Sequence, residues 1–199
     1  MTDGAALSIS QFLDAWRLFG QAWPASRIES AAGVDYVFTG LPMTGMIAQA
    51  VAPTTRVPEG LQLDEPRDAD GCTAMLDVNR AAYGMDLAAS RPAYGVPAFW
   101  AGHVPVLGRV AGGAATSAAV LMAGGYRYVA LVATDPAHQK RGFAEAVMRR
   151  ALTIAEERYG PCPTFLHATD AGRPIYARMG YEAVSTHTCF IDKRFLAGH

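Results

Sequence analysis

The sequence predicts a mixed α/β fold: a central sheet, mostly antiparallel, flanked by helices and preceded by an N-terminal extension. Three observations predict it. Three apolar runs, at 104–110, 114–122 and 126–134, are separated by Gly112-Gly113 and Gly124-Gly125. Gly-Gly between apolar runs marks a tight hairpin, because such turns need positive φ at their centre. A long amphipathic stretch then opens near Gly142 and stops at Gly160-Pro161. After it come a short apolar strand, a short helix and a final strand.

Composition sets the outer bounds. The chain has 199 residues, 51% hydrophobic and 18% charged, with a formal net charge of −1. That is a globular composition, long enough for one domain and its core. A near-neutral chain without clustered Lys and Arg lacks the footprint of a nucleic-acid or membrane partner. Cys72, Cys162 and Cys189 are odd in number and widely spaced, and the five histidines show no HExxH or paired ligand spacing. Neither a disulfide framework nor a metal site is expected. No basic segment precedes an apolar run at the N-terminus, so no signal peptide is expected, and the thiols are read as reduced ones in a cytoplasmic protein. The uncharged stretch 110–126 is short for a membrane span and reads as a hairpin strand.

The elements follow in order. Ile9, Phe12, Leu13, Trp16 and Phe19 recur at helical spacing and predict a helix over 8–21. Residues 34–39 and 46–52 read as short strands around Gly40-Leu41-Pro42, with Pro53, Pro58 and Gly60 as a connector. Residues 1–58 are therefore expected to form an extension packed on a main domain of residues 59–199. In that domain 61–64 is a strand, and 68–83 a helix with Met75, Val78 and Ala82 on one face. Residues 86–100, with Pro92 and Pro97, read as a short helix and a loop. The three meander strands come next. The helix after Gly142 turns Val147, Met148, Ala151, Leu152 and Ala155 inward, and Gly160-Pro161 stops it. Residues 164–168 are a strand, 174–179 a short helix ended by Gly180, and 182–191 the last strand.

The segment 132–144, Val-Ala-Thr-Asp-Pro-Ala-His-Gln-Lys-Arg-Gly-Phe-Ala, carries the chemistry. A strand runs through a turn into a helix with glycine at its start. The first N–H groups of that helix point outward with partial positive charge, which suits a pyrophosphate. Gly142 lets a backbone approach closely, and Ala144 is small. The chain has neither GxxxxGK[ST] nor GxGxxG, so this is neither a P-loop nor a dinucleotide fingerprint.

Gln139-x-x-Gly142-x-Ala144, after a strand ending in Asp135-Pro136, resembles the coenzyme A signature of the GNAT N-acetyltransferase superfamily, (Q/R)xxGx(G/A). The stretch 171–181, Ala-Gly-Arg-Pro-Ile-Tyr-Ala-Arg-Met-Gly-Tyr, resembles that family's later motif, a short helix with tyrosine followed by Gly-aromatic. The distance between the two motifs fits one helix plus one strand. The resemblance implies a GNAT-type sheet and acetyl-coenzyme A as co-substrate. It further implies transfer of acetyl to a primary amine by direct attack on the thioester.

It also implies roles. Val132, Ala133 and Thr134 would expose backbone groups to the pantetheine arm, and a main-chain N–H there would polarise the thioester carbonyl. The amides of Gln139, Lys140, Arg141, Gly142, Phe143 and Ala144 would hold the pyrophosphate. Lys140 and Arg141 would add charge to it or to the 3′-phosphate. Thr169 would lie near the cofactor, and Tyr176 would protonate the departing thiolate. Plainer readings stand beside these. Lys140 and Arg141 also read as a solvated pair, Thr169 with Asp170 as a helix cap, and Tyr176 as a core residue beside Ile175 and Met179. His138 is expected in an exposed loop, and His103 and His167 in structural roles.

One feature departs from the family pattern. Many members place a glutamate on or near the central strands to deprotonate the amine. Residues 126–134 contain no carboxylate, and Asp135 falls in the turn. The base is left to water or to a residue such as Asp86 or His103. The expected acceptor is a small-molecule amine, without nucleic acid or membrane, and a homodimer is compatible with this reading. The alternative is an acyl-coenzyme A-binding sensor or interaction protein with little or no turnover.

Overall fold

The computed structural model describes residues 41–53, 56–83 and 91–189, together with 11, 14–15, 30–31 and 34–35. Strands β1 (Ser30–Ala31) and β2 (Val34–Asp35) pair only with each other. The remaining strands are β3 (Leu41–Ala48), β4 (Leu61–Asp64), β5 (Val104–Val110), β6 (Gly113–Ala123), β7 (Tyr126–Thr134), β8 (Thr164–Ala168) and β9 (Glu182–Cys189). They form one sheet in the order β4-β5-β6-β7-β8-β3-β9. Every neighbouring pair is antiparallel except β7 with β8. A parallel pair needs a crossover, and helix α3 (Phe143–Tyr159) supplies it. The other helices are α1 (Ala69–Tyr83), α2 (Arg91–Tyr94) and α4 (Arg173–Arg178), with 3₁₀ turns at Pro97–Gly102 and Pro136–His138.

The meander, α1 and α3 form as their local chemistry dictates. The Gly-Gly turns hold positive φ at Gly112, Gly124 and Gly125. Asp68 accepts from the Gly71 N–H at 2.7 Å and so starts α1. Gly160, at φ +83°, ends α3 and returns its N–H to the Glu156 carbonyl. The two helices cover opposite faces of the sheet. On one, Met75 and Leu76 of α1 pack with Leu107, Leu121, Tyr128 and Phe165. On the other, Val147, Met148 and Leu152 of α3 pack with Val106, Val129 and Leu166. Truncating a buried Leu or Met in such a layer costs about 2–5 kcal/mol.

The N-terminal half differs from expectation in its strands. β3 starts at Leu41 and ends at Ala48, so Leu41 and Pro42 belong to a strand and not to a turn. Pro42 fits because it lies where β3 pairs with β9 alone; pairing with β8 begins at Thr44. Proline has no N–H to donate, so a one-sided stretch of strand tolerates it. β3 is moreover threaded between β8 and β9, inside the sheet. Residues 36–39 of the predicted 34–39 strand lie outside the described residues, as does most of the predicted 8–21 helix. Gln11, Asp14 and Ala15 of that helix are helical, and the Gln11 Nε2 donates to the Gly124 carbonyl at 3.3 Å.

Candidate active site

The site begins where β7 and β8 part. They pair only from Arg127 to Val129 against Thr164 to Leu166. β7 is kinked at the same level against its other neighbour. Ala130 faces Ala119 and Ala133 faces Ser117, so β7 carries one more residue than β6. This is a β-bulge. Leu131 carries it at φ +53°, in the left-handed region where a side chain costs about 1–2 kcal/mol.

Beyond the bulge, Val132, Ala133 and Thr134 have no β8 partner. Their carbonyls are nevertheless occupied. Val132 accepts from the Tyr83 hydroxyl at 2.6 Å, Ala133 from the Thr116 hydroxyl at 2.8 Å, and Thr134 from the Gln139 amide at 3.4 Å. What this edge can offer an incoming carbonyl oxygen is therefore N–H, not C=O.

The loop after β7 is preformed. Asp135 accepts from the Ala137 N–H at 2.8 Å and caps the 3₁₀ turn, so its carboxylate serves the loop. Lys140 and Gly142 take φ of +60° and +78°. Among the described residues, none accepts from the amides of Gly142 through Ala144. The first amide of α3 to reach a carbonyl is Ala146, on Gly142 at 3.1 Å. Gln139 to Gly142 are exposed. Successive unpartnered amides from Gly142 to Ala144 at a helix N-terminus fit a pyrophosphate. Over Gly142 the space is open: a Cβ would meet only Pro58 Cγ at 3.8 Å, so glycine is required there by φ.

The side chains of this loop divide. Phe143 is 2% exposed and packs with Leu61 and Ala146, so it offers a ligand only its backbone. Arg141 lies over the Phe143 ring at 4.6 Å and reaches His138 Nδ1 at 3.4 Å. Lys140 is exposed and makes no ion pair among the described residues. A cavity of about 410 Å³ opens beside them, lined by Arg56, Pro58, Glu59, Arg141 and Phe143.

Across the fork stands Tyr176 of α4. Its ring lies edge-on to Tyr181, centroids 6.2 Å apart, and so close to Gly172 that a Cβ there would sit 2.8 Å from Cε2. Its hydroxyl bonds to no described residue. Burial pushes the phenol up, and neighbouring Tyr83 adds to this, so it stays protonated at neutral pH and acts as a donor. Thr169 serves the start of α4: its carbonyl accepts from Gly172 and Arg173 at 3.0 Å, its hydroxyl weakly from Gly172 at 3.4 Å.

The structure thus brings Val132, Tyr83 and Tyr176 to one fork and ties the loop to it through Gln139. Tyr83, Asn79 and Ser117 were not singled out by sequence. The available signal was Asn79, a polar residue one turn from Met75 on an apolar helix face. His103 belongs to the other end of the sheet, where Val104 faces Val120. Its Nδ1 accepts from the Met122 N–H at 3.3 Å, and burial lowers its pKa. His167 Nδ1 lies 2.9 Å from the Tyr128 hydroxyl. Asp86 lies outside the described residues. Among those described, no group of three His, Cys, Asp or Glu could hold a metal, and no helix is long and apolar enough to cross a membrane.

Residues 118–184 match the model of the acetyltransferase (GNAT) domain. No curated protein sequence matches the chain significantly. Solved structures do. A GCN5-related N-acetyltransferase from Kribbella flavida is 24% identical, with 73% of this chain and 55% of that one covered and a TM-score of 0.56. A GCN5-related N-acetyltransferase-like protein from Streptococcus suis is 12% identical, over 76% and 61% of the two chains, at a TM-score of 0.58. A predicted acetyltransferase with acetyl-CoA from Clostridium acetobutylicum is 16% identical, over 61% and 90%, at a TM-score of 0.51. At these identities the likeness is one of fold, and the chain spans little more than half the length of the first two. The matched segment nonetheless contains the bulge, the fork, the amide loop and Tyr176 together, and over it the chain is similar to the acetyltransferase (GNAT) domain, whose fold the solved structures share.

Proposed function

We propose that the protein is an N-acetyltransferase that moves acetyl from acetyl-coenzyme A to a primary amine of a small molecule, by direct attack on the thioester. The observation that carries this reading is the exposed loop from Gln139 that leads into the unpartnered amides of Gly142 to Ala144 at the mouth of the β7–β8 fork. Those amides would hold the pyrophosphate, with Lys140 and Arg141 adding positive charge. The pantetheine arm would lie along Val132 to Thr134. A β7 N–H would polarise the thioester carbonyl, and Tyr176 would give its proton to the departing thiolate. The net charge of −1 offers no field for a polyanionic acceptor complex, which favours a small molecule.

No carboxylate lies on β7 between Tyr126 and Thr134, and Asp135 is engaged in the loop. Water then takes the amine proton, and the rate with each amine should rise with pH through that amine's own pKa. The same observation supports a second reading, a coenzyme A-binding sensor without turnover. One screen separates the two: an amine library with acetyl-coenzyme A, reading free thiol and confirming product mass. Amine-dependent thiol release establishes transfer; its absence across the library, with binding intact, supports the sensor. Parallel assays with propionyl- and succinyl-coenzyme A set the acyl preference. Binding itself is checked by thermal shift, since ligand at 100 times its Kd adds about 2.7 kcal/mol. No shift with either coenzyme A or its acetyl ester would sink both readings.

A further inference from the structure

We infer that Asn79 and Ser117 are positioning residues for the acyl group: they hold the Leu131 carbonyl inward and so aim the Val132 N–H into the fork. The inference rests on the function proposed above.

Asn79 is 4% exposed and Ser117 fully buried. A polar group in such a place is costly unless it is hydrogen-bonded, and both are. The Asn79 Nδ2 donates to the Met75 carbonyl at 2.9 Å and to Ser117 Oγ at 2.9 Å, with a longer approach of 3.5 Å to the Leu131 carbonyl. Ser117 Oγ donates in turn to the Leu131 carbonyl at 3.0 Å. The chain of bonds runs from α1 through β6 to the single strained residue of β7.

Around Asn79 on α1 stand Cys72, Met75, Leu76 and Val78, all buried and apolar. Packing there asks for another apolar side chain. What needs a donor is the Leu131 carbonyl, which the bulge removes from the β6 ladder. One turn further along α1, Tyr83 takes the next carbonyl, that of Val132. The helix therefore grips two successive peptide groups of β7.

The consequence follows from peptide geometry. In a planar trans peptide the C=O of one residue and the N–H of the next point in opposite directions. With the Leu131 C=O fixed on Ser117 and Asn79, toward β6 and α1, the Val132 N–H is turned away from β6. On that side β8 is absent. A donor held there without freedom to reorganise is the kind that polarises a carbonyl as charge develops on its oxygen. Without the clamp, Leu131 can relax from its left-handed φ, and the peptide plane rotates with it.

The test uses acetyl-coenzyme A carrying ¹³C at the thioester carbonyl, bound to the full chain and followed by infrared difference spectroscopy. In the wild type the carbonyl stretch should fall to lower frequency on binding. In Asn79→Leu that shift should be largely lost, and single-turnover transfer should drop by roughly ten- to a hundredfold, less than deleting an oxyanion donor outright. Affinity for coenzyme A without the acetyl group should change less than about threefold, because the amide loop is untouched. Should Asn79→Leu fail to fold, Ser117→Ala removes one hydroxyl donor to the same carbonyl and should give a smaller shift in the same direction. Variants with native melting and an unchanged stretch overturn the inference, as do variants whose coenzyme A affinity falls in step with their rate. A wild type that binds neither ligand overturns the proposed function, and the inference with it.

Discussion

The two halves of β7 have similar apolar sequences and opposite fates. Arg127 to Val129 has a strand on each side, and Arg127 there is buried to 2% exposure with one nitrogen on Glu156 at 2.8 Å and another on the Cys162 carbonyl. Thr164 ties the same end, donating to the Arg127 carbonyl at 2.9 Å and meeting the Tyr181 hydroxyl at 2.8 Å. Ala130 to Thr134 keeps one neighbour, bulges at Leu131, and has the carbonyls of Leu131 to Thr134 held by side chains. The closed half anchors the strand so that the open half can stay unpaired. On the function proposed above, stability and chemistry would occupy adjacent stretches of one strand, and substitutions should separate them.

The largest effect should come from the closed half. Arg127→Ala leaves the Cys162 carbonyl and a cavity unsatisfied and should cost about 3 kcal/mol, measured as a lower denaturant midpoint at constant slope. Arg127→Met, apolar and of similar length, should lose much less. Equal losses would show that the hydrogen bonds matter and the volume does not. In the open half, Tyr176→Phe should slow single turnover by roughly 10²–10⁴ with melting and coenzyme A affinity little changed. An unaltered rate would return Tyr176 to packing and leave the thiolate to water.

Gly142→Val should combine both kinds of loss. The left-handed φ costs about 1–2 kcal/mol with a β-branched residue, and the side chain stands over the amide cradle. Coenzyme A affinity, read by calorimetry, should weaken by at least roughly tenfold, since about 1.4 kcal/mol suffices for that. Retained affinity would mean that the phosphates bind elsewhere.

The smallest effect should lie far from the fork. Burial alone would raise the Glu65 carboxyl, but its hydrogen bonds with Arg158, both 2.9 Å, and the charge of Arg67 outweigh this and hold it below the usual glutamate range. A carboxyl depressed in the fold contributes stability above its unfolded pKa, and loses it as pH falls through the folded one. Glu65→Gln should therefore cost about 1 kcal/mol at neutral pH, vanish as a difference in acid, and leave transfer unaffected. A difference that persists in acid would rule out the charge as its origin.

What was legible in the sequence follows the range of the forces involved. Gly-Gly turns, the 3.6-residue pattern of α3 and its Gly160 stop act locally, and their boundaries agree with the fold to within a residue or two. The amide loop was legible for the same reason, because Gly142 sits at a φ that glycine accepts. Pairing across the sheet is not local. Nothing near Pro42 tells that its strand will insert between two others from the far end of the chain. The bulge was equally silent, since the left-handed position is held by Leu131 and not by glycine; its support comes from Asn79 and Ser117, 52 and 14 residues away. Phe143 could be read as part of the loop, but that only its backbone is offered depends on a pocket formed by Leu61.

The placement of β3 bears on how the chain is made as well as on how it stands. Thr44 must find Ala168 on one side and Thr186 on the other, so the strand emerges from the ribosome roughly 120 residues ahead of its first partner. At synthesis rates of about 5–20 residues per second, it waits for several seconds as an apolar segment with both edges unsatisfied. Completion of the sheet is then a late, non-local event that slows folding. Chains interrupted before β8 would expose that segment to aggregation, a liability that the finished sheet conceals.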